Sequence, residues 1–523
     1  MKRTLLFILG IPSLLVAQSQ RQTVYLSVPD CYVQSFVPLA GGGNLLSGYS
    51  RYGTDSCLIN MLFMNDSDVT VSHKEFNTAT HFDFVSQVIP VSNGFLIGGK
   101  SSDPSFFHPQ LIMTDVNGNV QWAKYFDNTS YWQGQIIRIL PHGTTYSMYT
   151  FAETPFNDFY RIEGDASGST FTGWQYTPDT AMSFRVFDAE QMPNSSSHIL
   201  CGHANFNSTT TRAGMLMKTT SSGVAWCKHI TAAGNFKNDI VDVTAAADGN
   251  SYSLFVCENL PGNQYSTIVL KFDSLGNKVW AKQLALSSGT LNGASIIESA
   301  AHDFYIASYD NLLVAYISKM DAAGNLVWTH KWTPSSSGGA SALKLFRDAN
   351  DNIVLTGMLD NSYFVARLDA SAGGCSFTTS TAISSVNATT VLTNISFTTT
   401  VFTPTTVNES TLYSSLNYYE NMLCGGVGID EYEEMNSMSI YPNPVDETLT
   451  VTRYPLSETA IEISIYNMLG EMVKAVSLPT AIPMAIGSPL PTCNVDCRLL
   501  PPGIYLLQMT NGDKVYNRKF IKQ

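Results

Sequence analysis

An all-β fold follows from three observations on the 523-residue sequence. Two turn signatures recur together at a period near fifty residues. Thr, Ser, Gly and Asn are abundant while charged residues make up only 14%, well under the roughly 25% of an average soluble chain. The last eighty or so residues alternate apolar and polar positions between Pro and Gly punctuation. The predicted architecture is a seven-bladed β-propeller followed by a small C-terminal Ig-like β-sandwich. Along the chain this gives a signal peptide at 1–19, the propeller at 22–380 and a Thr/Ser-rich β extension at 381–424, then a linker at 425–437 and the C-terminal domain at 438–523.

Lys2 and Arg3 precede an apolar run from Leu5 to Val16, and the small residues Ala17 and Ser19 follow it. This is the order of a secretory signal. The run is too short to cross a bilayer, and no cysteine stands just after it, which argues against a lipid-anchored precursor. No other stretch approaches transmembrane length, so the mature chain is expected to have no transmembrane segment.

The first repeat signature is a turn leading into an apolar strand that ends on a small or apolar residue. Its seven copies end at Gly48, Gly99, Tyr149, Gly202, Phe255, Ser308 and Gly357, at intervals of 49 to 53 residues. The second signature, Asp-x-x-Gly-(Asn)-x-x-Trp, runs from Asp115 to Trp122, Asp165 to Trp174, Asp273 to Trp280 and Asp321 to Trp328, with a shortened copy at Thr220 to Trp226. Its tryptophans recur every 48 to 54 residues, in register with the first signature. Each unit thus holds four strands, with Gly and Asn supplying the positive φ of tight hairpins. Four antiparallel strands at this period make a propeller blade. Thr23 to Val28 is expected to close the ring as an outer strand of the last blade, which removes an exposed edge.

A Trp at one place in successive repeats fills one packing slot, so these are expected as core residues between blades. The aspartates read as turn formers, because one carboxylate per turn falls short of the six to eight oxygens calcium takes. Asp348, Asn350 and Asp351 read as the same hairpin chemistry. The sialidase-type Asp box, the recurring paired glycines of kelch and the WD dipeptide are absent.

Cys375 to Ile429 follows the repeats, and stretches such as Thr389 to Thr398 alternate as extended strands packed on the propeller would. Gly425 to Asn436, with Asp430, Glu431, Glu433 and Glu434, is the expected hinge. The nine cysteines are odd in number and irregular in spacing. Cys375 with Cys424, and Cys493 with Cys497, are candidate bridges that spacing alone leaves open. Cys201, Cys227 and Cys257 fall inside strands and are expected to be free, buried and hydrophobic in behaviour.

The C-terminal segment opens with Tyr441-Pro442-Asn443-Pro444, continues through Ile465 to Val473 with Leu469-Gly470, then Gly503-Ile504-Tyr505, and closes on Arg518-Lys519-Phe520-Ile521-Lys522. This series resembles the type A C-terminal sorting domain of the type IX secretion system of Bacteroidota. Ala481 to Cys497 is longer and richer in Pro and Cys than the family's usual hairpin. The resemblance implies a sorting signal carried by Tyr441, Pro442, Asn443, Pro444, Leu469, Gly470, Gly503, Tyr505, Lys519 and Lys522. It also implies the translocon and its surface peptidase as partners, passage through the periplasm, removal of the tail, and a mature protein that is extracellular or at the outer-membrane surface.

The formal charge of −13 leaves no electrostatic footprint for phosphate, so no nucleic-acid partner is expected. Gly-x-Ser-x-Gly and His-Glu-x-x-His do not occur, and no catalytic residue, ligand-binding residue, metal site or cofactor is assigned. His198 and His203 flank a strand end, but two imidazoles without a third ligand make a weak zinc site. Two functions remain. One is a binding or adhesion module for glycan or protein, using variable loops such as Ser101 to Gln110, Asn205 to Arg212 and Glu258 to Tyr265. The other is a hydrolase or lyase acting on polysaccharide or peptide, with acidic residues converging at the channel mouth.

Overall fold

The computed structural model describes residues 22–26, 31–52, 56–102, 107–127, 134–151, 158–179, 182–206, 212–232, 237–259, 264–332, 340–368, 377–424 and 439–523, apart from short breaks inside these ranges and the stretches 453–460 and 479–491. Two compact units divide the chain, Met1–Gly426 and Val427–Gln523. Both are all-β, and the described residues contain no helix.

The first unit is built from seven five-stranded antiparallel sheets. Six of them take four consecutive strands each, over 31–78, 82–126, 136–178, 182–232, 237–286 and 291–332. The seventh takes three strands from 340–368 and borrows Gln22–Leu26, whose Thr23 pairs with Val365 and Val24 with Phe364. The expected closing strand is therefore present, and it ends within the described residues at Leu26.

Each sheet packs on the next through an apolar cluster, because strands buried on both faces read as continuous apolar runs such as Ile353-Val354-Leu355. Seven such clusters serve seven junctions, and one of them joins Val33, Leu46 and Leu62 of the first sheet to Val354, Tyr363 and Val365 of the seventh. A buried ion triad latches the same junction. Arg367 of the seventh sheet donates to both carboxylate oxygens of Asp68 in the first sheet at 2.6 Å each, and to Asp348 at 2.6 Å.

The Asp-x-x-Gly-Asn turns are self-sufficient. Oδ1 of Asp115 accepts from the backbone N–H of Asn117 and Asn119 at 2.9 and 2.8 Å, and Oδ2 accepts from the Asn119 amide at 2.9 Å. The same arrangement recurs at Asp273, Asp321 and Asp348. Carboxylates so occupied act as turn formers.

The tryptophans of the second signature are half-buried and lie at the margin of the cores, so their placement as core residues needs correction. Trp122, Trp226 and Trp280 reach across to the following sheet. The Trp122 ring covers Gly168, where a Cβ would sit 2.7 Å from the ring, and its N–H donates to the Ala166 carbonyl at 3.3 Å. Trp226 covers Gly276 in the same way and donates to the Ser274 carbonyl at 3.3 Å. The glycine of one turn is thus the seat for the tryptophan of the preceding sheet, which explains why glycine and tryptophan travel together in the second signature.

The Thr/Ser-rich extension forms a belt. Its strands Phe377–Thr379, Ile383–Asn387, Thr390–Asn394, Phe397–Phe402, Thr406–Glu409, Thr411–Ser414 and Tyr419–Cys424 add a fifth strand to the sixth, fifth, fourth, third, second, first and seventh sheets in that order. The chain therefore runs back past every sheet it has just built. A seven-residue step sets the register: Asn387 pairs with Lys282, Asn394 with Lys228, Val401 with Trp174 and Asn408 with Lys124. Short strands with one covered face and one exposed face need only alternating Thr, Ser and Val.

The second unit holds a three-stranded sheet, with Ser439–Tyr441, Thr448–Thr452 and Thr492–Asp496, and a four-stranded sheet, with Ile461–Asn467, Met472–Leu478, Gly503–Asn511 and Lys514–Lys522. Leu449, Val451 and Val495 of one share a core with Ile463, Leu507 and Phe520 of the other. Cys493 and Cys497 are both buried there and both free, against the expected candidate bridge. Cys493 lies in an extended strand and Cys497 just beyond its end; four residues of extended chain span about 13 Å, well past the roughly 7 Å reach of a disulfide. Cys201, Cys227 and Cys257 are free and buried as expected, and Cys375 lies outside the described residues.

Candidate functional site

The first strand of every sheet carries a β-bulge, at Val33/Ser35, Val85/Gln87, Ile136/Arg138, Val186/Asp188, Ile240/Asp242, Gly293/Ser295 and Ser341/Lys344. A bulge re-aims the side chain that follows it. The glycines ending the first signature stand opposite these bulges: a Cβ on Gly48, Gly99 or Gly202 would lie within 1.9 Å of a carbonyl oxygen of the bulged strand. Only glycine admits so close an approach.

All seven residues following the bulges are polar, and all seven line one cavity of about 560 Å³. Its wall runs from the bulges to the ends of the seven first strands, the end at which the tight turns lie. The loops expected to carry ligand join the second and third strands at the opposite end of their sheets, and their tips, 103–106, 207–211 and 260–263, are outside the described residues.

Most of these seven side chains bind the next sheet. Ser35 Oγ accepts from Val88 N–H at 3.2 Å, and Gln87 Oε1 from Ile139 N–H at 2.6 Å. Asp188 Oδ2 accepts from Val243 N–H at 3.4 Å, Asp242 Oδ2 from Ile296 N–H at 2.8 Å, and Ser295 Oγ from Leu345 N–H at 3.2 Å. Arg138 has no lone pair to offer, and it contributes instead an ion pair to Asp188. The Ala189 N–H left over in that sheet is taken by Asp188 itself at 2.8 Å.

Charge in the cavity is uneven. Burial works against the charge of Asp188, but Arg138 outweighs it and holds the pKa below the usual carboxylate value. Burial and the neighbouring Asp188 push Asp242 well above that value, and the two carboxyls hydrogen-bond each other. A shared proton between them follows. Burial and Asp188 also raise Glu190 to about 7, while its Oε2 accepts from Ala245 N–H at 2.8 Å. Burial and the nearby Arg138 charge bring Lys344 down to about 8.

His198 and His203 do not meet at a common ion. His198 Nδ1 lies 2.7 Å from the Tyr149 hydroxyl, and burial lowers its pKa to about 4. His203 pairs with Asp239 at 2.8 Å. Five residues apart in one strand, they point to opposite faces. Among the described residues no group of three or more His, Cys, Asp or Glu is arranged to hold a metal.

In the C-terminal unit, Asn443 bridges the two ends of the domain: its amide donates to the Lys519 carbonyl at 3.3 Å and its Oδ1 accepts from Ile521 N–H at 2.9 Å. Val445 and the last strand complete the clamp, with Val445 N–H to Ile521 O at 2.7 Å and Gln523 N–H to Val445 O at 3.0 Å. The Asn443–Pro444 peptide is cis. Tyr441 ends the opening strand. Gly503 starts a strand in which the Tyr505 hydroxyl donates to the Pro501 carbonyl at 2.7 Å and its ring stacks on Phe520 at 5.5 Å. Lys519 is exposed, whereas Lys522 is buried and reaches Asp446 at 3.6 Å. Pro442, Leu469 and Gly470 lie outside the described residues.

Residues 439–523 match the family of secretion system C-terminal sorting domains. A sorting domain of this kind indicates secretion by the type IX system and export to the cell surface or extracellular space. No curated protein matches the chain. No helix among the described residues is long and apolar enough to cross a membrane.

The seven bulge residues escaped the sequence reading. They were nonetheless periodic, each a polar residue eleven to fourteen positions before the end of a first signature. Their varied chemistry, two Ser, one Gln, two Asp, one Arg and one Lys, hides them from any search for a repeated residue type.

Proposed function

We propose that the chain is a type IX secretion substrate of a Bacteroidota cell whose 22–380 region is a seven-bladed β-propeller acting as a surface or secreted binding module for glycan or protein. Seven sheets in a closed circuit of apolar junctions support the propeller reading, as does the repeat period. In this reading the sorting domain engages the translocon through its clamped ends, with Asn443, Tyr505 and Lys522 as structural members and Lys519 presented outward, and the surface peptidase removes it.

The observation that carries binding over hydrolysis is the use to which the axial carboxylates are put. Asp188 and Asp242 spend their oxygens on Arg138 and on backbone N–H groups of their own strands and of the next sheets. Acids so engaged hold sheets together. Glu190 is the group that favours the second reading, a hydrolase or lyase, because a carboxyl near pH 7 beside an ionised one is the arrangement of an acid–base pair. A panel of polysaccharides and peptides offered to the secreted protein, scored for both retention and product release, separates the two. Retention without products is expected. Product release that Glu190→Gln abolishes would overturn the binding reading in favour of the enzyme.

A further inference from the structure

Of the seven residues that follow the bulges, six are engaged with other parts of the ring and one is not. Lys344 makes no hydrogen bond or ion pair with any described residue. As an ammonium it cannot accept an N–H from the first sheet, so it cannot close the circuit that the side chains from Ser35 to Ser295 run. Its surroundings are half apolar, with Phe36, Val37, Ile89 and Phe346 in the same wall. An enclosed cation without a counter-ion is costly. The neighbouring acids do not supply one: Asp188 is committed to Arg138, Asp242 accepts from the Val243 and Ile296 N–H groups, and Glu190 holds the Ala245 N–H.

We propose that the axial cavity binds a small carboxylate-bearing ligand, with the Lys344 ammonium as its anchor. This rests on the binding reading above and gives it a ligand class. A cavity of about 560 Å³ falls in the size range of small-molecule sites, enough for an acidic monosaccharide or a short organic acid. One uncommitted cation beside an ionised Asp188 suits a monoanion. A phosphate would call for several converging donors of the bidentate kind, and Arg138 is not free to provide them.

The test is titration of the full secreted chain with glucuronate, galacturonate, N-acetylneuraminate and succinate, with glucose as the neutral counterpart, followed by calorimetry. At least one acid should saturate with Kd below about 10 mM, glucose should bind at least about tenfold more weakly, and Lys344→Met should weaken the acid by about tenfold or more. Lys344→Arg should keep the affinity, and an unchanged melting temperature should show that both variants fold. Affinity should fall between pH 6 and 9 as Lys344 loses its proton near 8. Arg138, Asp188, Glu190, Asp242, Glu298 and Arg347 share the cavity, and Glu190 ionising near 7 acts in the same direction, so the profile of Glu190→Gln isolates the lysine step. If no acid saturates, or if Lys344→Met binds as the parent does, the inference is wrong. Polymer retained equally by parent and Lys344→Met, with no acid bound, would remove this ligand class and leave the binding reading standing. Loss of both polymer and acid binding in the parent would remove the two together.

Discussion

The ring of side chains lining the cavity and the belt of added edge strands both tie the same seven sheets together, and they do so by opposite means. The ring uses one side chain from each of the first six sheets, mostly buried, each held by a specific donor or charge in the next sheet. The belt uses backbone pairing over three to six residues per sheet, and its outward positions, such as Val386, Val391 and Val401, are exposed. Directional contacts in a dry place concentrate energy in single residues, whereas backbone ladders spread it along the chain. The ring should therefore be sensitive to point substitutions and the belt only to loss of whole strands.

Removing the belt is the harshest test. Deleting 377–424 strips one edge strand from each of seven sheets, leaving unpaired edges that recruit other chains. Aggregation or loss of the folded monomer is expected by size-exclusion chromatography, and a monomer that melts like the parent would show the belt to be ornamental. Next in size is Asp188→Ala, which leaves Arg138 with a buried, unpaired charge and should cost about 3 to 5 kcal/mol in urea unfolding. Asp242→Asn should be far milder, since burial and Asp188 already push the native carboxyl toward its neutral form and the amide oxygen still accepts from Ile296. Equal losses for the two would sink the assignment of charge.

A smaller loss is expected at the tryptophan seat. Gly168 has φ of 66°, and an added Cβ would stand 2.7 Å from the Trp122 ring, so Gly168→Ala should cost about 1 to 3 kcal/mol. The pH dependence sharpens the axial side of the comparison. Glu190 is raised from 4.5 to about 7, so its contribution to stability is complete below about 4.5 and is lost as pH rises through 7. Glu190→Gln should flatten that part of the melting-temperature profile. Least of all, Asn387→Ala and Asn394→Ala remove belt contacts to Lys282 and Lys228 at 2.8 and 2.7 Å, and each should change stability by less than about 1 kcal/mol because both sites are exposed.

Much of this molecule is written locally. Asp115, Asn119 and their counterparts make turns from their own atoms, so the two signatures announced the hairpins, the number of repeats and the strand carrying each Trp. Strand 461–467 of the sorting domain was legible from alternation alone. The side of Trp122 that faces the next turn was not legible, because that contact joins residues 44 positions apart. Cys493 and Cys497 misled for the opposite reason: nearness in sequence hides the length of an extended strand.

By itself, then, the sequence determined whatever depends on bonds between near neighbours: the all-β class, the fifty-residue unit, the turn chemistry and the export address of residues 439–523. The tertiary structure alone decided the reverse course of the belt, the bulges that turn seven dissimilar polar residues toward one cavity, and the absence of a hydrogen-bond or ion-pair partner for Lys344 among the described residues. These rest on pairings between segments far apart in the chain, and no local propensity encodes which distant edge or charge a residue will meet.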